Sequence, residues 1–191
     1  MSRRNAASLL SPTYSALFDM GRVLLLVDAW ALSTRDTPLP FERAILIDFA
    51  IQNPRSVLGL VSGLAPILRA HGLEKGDLAD VFANRRLENA RERLRTSLTD
   101  LVARGLVAEA PPSPTVELSA FLPTAEGRTI ARSFDGAYAS ALRDLASTVS
   151  AAWQRRSVKD LVALIRKALP DQSLQALQLS ESFGQWMLET E

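Results

Sequence analysis

Residues 101–127 restrict the fold of this chain more tightly than any other stretch. Leu101, Val102, Ala103 and Arg104 close a long helical pattern, Gly105 follows, and Leu106 and Val107 open a short apolar run toward Pro111-Pro112-Ser113-Pro114. Beyond the prolines, residues 115–122 alternate apolar and polar side chains, and Pro123-Thr124 lead into Ala125-Glu126-Gly127. A glycine directly after the last helical residue takes the left-handed turn that ends a helix at little steric cost. Alternation on both sides of a proline-rich turn predicts a two-stranded ribbon, with the prolines at its tip because they cannot donate to a ladder. Thr124 is the predicted N-cap of the helix that carries the chain onward.

Helical periodicity accounts for most of the remainder. Residues 14–32 place Leu17, Met20, Val23, Leu24, Val27 and Trp30 at three- and four-residue spacings, which predicts a helix with a broad buried face. Polar residues 33–37 end it, and Pro38-Leu39-Pro40 form a rigid lead-in to a second helix over 41–52, stopped by Asn53-Pro54. Residues 55–80, broken by glycines and Pro66, read as loops with a short helix at 64–71. A long helix over 80–104 carries Leu87, Ala90, Leu94, Leu98, Leu101 and Val102 on one stripe. After Thr124 the helical pattern covers 125–131 and 137–153, then 157–169 with Ser157 and Asp160 at capping-box spacing, and a last short amphipathic stretch over 173–188. The expected fold is mainly α with a small β-hairpin. It divides into a tail at 1–12, a winged helix-turn-helix-like domain at 13–155 and a C-terminal helical extension at 156–191.

Counting removes much chemistry. Among 191 residues there is no cysteine and one histidine, His71, so cysteine-ligated zinc, thiolate nucleophiles and an ordinary histidine metal site are excluded or starved of ligands. No Gly-Lys pair occurs, so the chain carries no P-loop. A net charge of +1 is far from the basic footprint of a protein that grips nucleic acid over a large face. The apolar runs at 23–27 and 44–47 end at Asp28 and Asp48, too short to span a bilayer, and the start lacks a signal-peptide core. The expectation is a soluble, cytoplasmic protein with no catalytic residues, no metal and no cofactor.

Candidate contact residues are local. Arg85, Arg86, Arg91, Arg93 and Arg95, with Arg104 beyond them, lie on the third long helix, where they suit phosphate and base contacts or an acidic partner subunit. The competing reading is a solvated face laced by pairs such as Glu88–Arg91. Asp28 and Asp48, inside apolar helices, are expected to answer Arg22, Arg43 or another basic group, or to point to the solvent edge of their helices, rather than to catalyse, and His71 to interact with helix-end carbonyls. The apolar stripe containing Leu161, Val162 and Ile165, together with Trp186, follows a complete hairpin unit and is expected to form a partner interface, helped by the first helix.

The segments Phe41-Glu42-Arg43-Ala44-Ile45-Leu46-Ile47-Asp48-Phe49, Asn84-Arg85-Arg86-Leu87-Glu88-Asn89-Ala90-Arg91-Glu92-Arg93-Leu94, residues 101–107, and Phe134-Asp135-Gly136-Ala137-Tyr138 onward to Arg143 resemble the middle component of bacterial ABC-three-component systems. That family includes the small accessory subunit of Lamassu-type defence operons, and the resemblance covers residues 14–155. It implies a non-catalytic winged-helix subunit that accompanies an SMC-like ABC ATPase and a nuclease-type effector in defence against phage or plasmid DNA. The alternative is a free-standing, dimeric winged-helix transcriptional regulator reading an operator with the arginine-rich helix.

Overall fold

The structure, a computed structural model, describes residues 12–73, 90–110 and 119–168. Among them are seven helices and a small three-stranded antiparallel sheet. The first helix, α1 (Pro12–Thr34), is the axis of the molecule. Residues 22–31 are all buried, including Leu24, Leu26, Val27 and Trp30, because α1 is surrounded rather than laid on one face. Burial begins only at Met20; Leu17, expected on the inner stripe, is exposed beside a tilted Phe18–Tyr138 ring pair with centroids 4.7 Å apart. Arg35 and Asp36 then take left-handed backbone angles, φ 55° and 65°, and the Trp30 indole N–H donates to the Thr37 carbonyl. These contacts turn the chain sharply at the helix end.

Strand β1 (Leu39–Pro40) follows at once and leads into α2 (Phe41–Gln52), where the sequence predicted this helix. The short helix α3 (Leu64–Ala70) ends at His71, whose backbone N–H donates to the Ile67 carbonyl at the helix end, as expected of a helix-end residue, while its side-chain Nε2 lies 2.8 Å from Asp144 Oδ2. Helix α4 (Ala90–Ala103) ends in a Schellman turn: the Gly105 N–H donates to the Val102 carbonyl and the Leu106 N–H to the Leu101 carbonyl, with Gly105 at φ 72°. Strands β2 (Val107–Ala110) and β3 (Ala120–Pro123) form the expected ribbon. The sheet order is β1-β3-β2, with Leu39 opposite Phe121, so the proline-flanked lead-in is also an edge strand, which the sequence reading missed.

Thr124 caps α5 (Ala125–Ser133): its hydroxyl accepts from the Gly127 N–H and donates to the Gly105 carbonyl 2.7 Å away. Helix α6 (Ala137–Trp153) lies along α1, and α7 (Val158–Ala168) starts from Ser157, whose hydroxyl accepts from the Asp160 N–H and donates to its carboxylate. One apolar core contains residues of α1, α2, α4, the sheet, α6 and α7. Leu161, Val162 and Ile165 belong to it at 0%, 9% and 4% exposure. That corrects the expected partner face: the stripe finds its neighbours within the chain, and the buried interior continues past the boundary placed at residue 155. The buried middle of α1 is likewise covered by the chain itself. Trp186 and the stretch 173–188 lie outside the described residues, as do Arg85 and Arg86 and the helix predicted over 80–89. Among the described residues, no helix is long and apolar enough to cross a membrane.

Candidate functional site

A cleft of about 290 Å³ opens between α4, the start of α2 and the sheet. Phe41 and Phe121 meet edge-on beneath it, ring centroids 6.4 Å apart, because β1 pairs with β3 and delivers the first residue of α2 beside the sheet. Leu98 and Val102 complete the apolar floor, and Thr99, Glu109 and Ser119 stand at the rim.

Two of the arginines singled out by the sequence converge here. Arg91 and Arg95, one helical turn apart on α4, bring their guanidinium carbons 5.4 Å and 5.6 Å from the Phe41 ring centroid. A cation over an aromatic face is held by the ring quadrupole. Arg93, between them in sequence, turns away; its charge acts on Asp48. The five-arginine cluster is therefore two cations at one cleft, one committed to the interior, and Arg85 and Arg86 outside the described residues.

Glu42 was missed as a site residue. In sequence it is an acidic residue in the first turn of a helix, where an exposed carboxylate favoured by the helix dipole is the default. In the fold α4 covers that turn, and Glu42 is 3% exposed with both carboxylate oxygens buried and hydrogen-bonded to no other residue. Burial pushes its carboxyl above the ordinary 4.5, outweighing its own backbone N–H and the charge of Arg91. Only the packing of α4 over α2 would have signalled this, and that lies beyond local pattern.

The other carboxylates behave as structural groups. The Arg22 Nε donates to Asp48 Oδ1 at 3.1 Å, both side chains buried, and Gln52 donates to the second Asp48 oxygen. Burial still raises the Asp48 carboxyl above its ordinary value despite Arg22. Asp28 is also raised by burial, and the charges that oppose this are Arg128, Arg132 and Arg143 rather than Arg22 or Arg43. Arg43 instead donates to the carbonyls of Trp153, Gln154 and Arg156 and lies 5.2 Å from the Trp30 ring centroid, fastening α2 to the α6–α7 corner. Among the described residues no cluster of three His, Asp or Glu side chains could hold a metal ion. Compared with known protein families, with curated proteins and with solved structures, the chain matches none significantly.

Proposed function

We propose that the chain is a non-catalytic winged-helix accessory subunit that binds an SMC-like ABC ATPase and helps control a nuclease-type effector in bacterial defence against phage or plasmid DNA. The partner classes come from the sequence resemblance. The observation that carries the winged-helix part is the element order: a helix, the short strand β1, further helices ending in the arginine-bearing α4, then the β2–β3 ribbon pairing back onto β1. Such a unit offers an exposed helix face and a ribbon to other molecules without needing catalytic groups of its own. With a net charge of +1, the chain's attraction for DNA alone is weak and its natural setting is a complex.

Co-expression with the products of neighbouring genes and purification through a tag on this chain tests the proposal. The expected outcome is a stable complex with a large ATPase, together with weak, salt-sensitive DNA binding by the isolated chain. A homodimer that discriminates strongly between DNA sequences and retains no ATPase overturns it in favour of the regulator.

A further inference from the structure

We propose that the outward face of α7, with the corner that precedes it, binds the phosphate backbone of duplex DNA through Arg155, Arg156, Lys159, Arg166 and Lys167. The inference rests on the subunit reading above, from which the choice of DNA comes, and it places the DNA contact of that subunit away from the arginine-bearing α4.

Charge is unevenly spread along this chain. Residues 155–167 hold five cations and one acid, an excess of four positive charges in a chain whose total is +1, so the rest of the sequence sums to −3. All five cations are exposed, and none makes an ion pair with a described residue. The one acid, Asp160, is drawn into the capping box of its own helix, where its carboxylate accepts from the Ser157 hydroxyl and the helix dipole favours its charge. The near-neutral total conceals a local positive field.

Lys159, Arg166 and Lys167 fall on one face of α7, opposite Leu161, Val162 and Ile165, which the core buries. At about 1.5 Å of rise per residue that face runs about 12 Å from Lys159 to Lys167, alongside three or four phosphates of one strand at about 3.4 Å of duplex axis each. Helix dipoles favour Arg155 and Arg156 after the end of α6, and Arg166 and Lys167 in the last turn of α7. Lys159 stands in the first turn of α7, where the dipole disfavours a cation. Helix stability does not account for it; a continuous line of charge does.

The same face argues against other anionic partners. Ala163 is the one apolar residue exposed over 155–167, so the face lacks the large apolar anchor or pocket on which an acidic protein partner gains its affinity. The apolar side of α7 is used by the core, so the helix has none to lay into a membrane surface. Trp153, the aromatic residue closest in sequence, is fully buried and offers no ring for stacking unpaired bases. A convex line of cations matches a duplex backbone contacted without base readout.

The test uses the full chain and a fluorescein-labelled DNA duplex of mixed sequence, followed by fluorescence anisotropy between about 50 and 200 mM salt. The expected dissociation constant is about 10⁻⁴ to 10⁻⁶ M at physiological salt, and log affinity should fall against log salt with a slope of about −4, each phosphate contact contributing about −0.9. Lys159→Gln should make the slope shallower by about 1. The triple change Lys159→Gln, Arg166→Gln and Lys167→Gln should make it shallower by about 3 and weaken binding about tenfold or more at low salt. Circular dichroism and thermal unfolding verify that these exposed positions leave the fold intact. Wild-type affinity and slope in the triple variant, no binding by wild type, or an equal loss from Arg95→Gln on α4 overturns the assignment. So does tighter binding to single-stranded DNA or duplex RNA, or displacement of the duplex by poly-glutamate as effective, charge for charge, as by unlabelled DNA. The tag purification keeps the two proposals apart. DNA binding that depends on α7 in a chain retaining no ATPase overturns the subunit reading and leaves the α7 face standing, whereas an ATPase retained by a chain whose triple variant binds DNA like wild type overturns the α7 face alone.

Discussion

Glu42 shows how one buried residue couples the cleft to stability. Its two oxygens are bonded to no other residue and its carboxyl is raised above 4.5 by burial, so the folded protein holds that proton more tightly than the unfolded chain does. For a raised acid, the stabilisation is complete below the unfolded value and is lost as pH rises through the folded one. Glu42→Gln removes the ionisation and keeps the shape. The variant should match wild type near pH 4 and be more stable at pH 7 to 8 by about 1 kcal/mol, the scale of desolvating an unpaired buried polar group. Urea unfolding across that range measures the difference. Asp28 and Asp48 are shifted in the same direction and remain in both proteins, so the comparison isolates Glu42. A wild-type-to-variant difference that does not change with pH would show that the carboxyl keeps its ordinary value.

At the scale of elements, the tightest joint is where the end of α4 meets the start of α5. The Thr124 N–H donates to the Leu106 carbonyl, the Thr124 hydroxyl bridges the Gly105 carbonyl and the Gly127 N–H, and a Cβ on Gly127 would lie 1.9 Å from the Leu106 carbonyl oxygen. Helix propensity alone says that Gly127→Ala should stabilise α5 by up to about 1 kcal/mol. The carbonyl wins, because backbone on both sides cannot yield. Gly127→Ala should lower stability by about 3 kcal/mol, at the upper end of overpacking effects, while Gly59→Ala, with open space around its new methyl, should change little. Thermal unfolding of the two variants checks this. The joint also marks what the sequence could reveal. Helices 41–52 and 137–153, the glycine turn at 105 and the caps at Thr124 and Ser157 were legible because each is set by neighbours a few residues away. Strand β1 was not: Leu39-Pro40 becomes a strand only when β3 lies against it. Of the cleft, Arg91 and Arg95 were legible as exposed cations, but their convergence on Phe41 and the burial of Glu42 needed the packing of α4 on α2.

At the scale of the molecule, the question is whether α7 is an appendage or part of one cooperative unit. Its amphipathic stripe suggested an appendage with a free face, since a helix after a finished hairpin unit needs something to cover it. What covers it is the chain's own core: Leu161 is fully buried, Ile165 nearly so, and both join the cluster that contains Trp153 and the apolar face of α2. Arg43 holds the same corner from outside by capping the carbonyls of Trp153, Gln154 and Arg156. A helix fixed by core packing and by a guanidinium at its approach should unfold with the rest rather than ahead of it. Leu161→Ala should therefore cost about 3 kcal/mol, the usual range for emptying a buried leucine site, and lower Tm by roughly 6 to 12 °C for a chain of this size. Exposed Lys159→Glu on the same helix should leave Tm within a degree or two. Leu161→Ala should shift the whole transition as one, read alike by far-ultraviolet circular dichroism and by tryptophan fluorescence. A separate early transition confined to part of the helical signal, with the main Tm unchanged, would make α7 an independent element and return its apolar stripe to the candidates for partner contact.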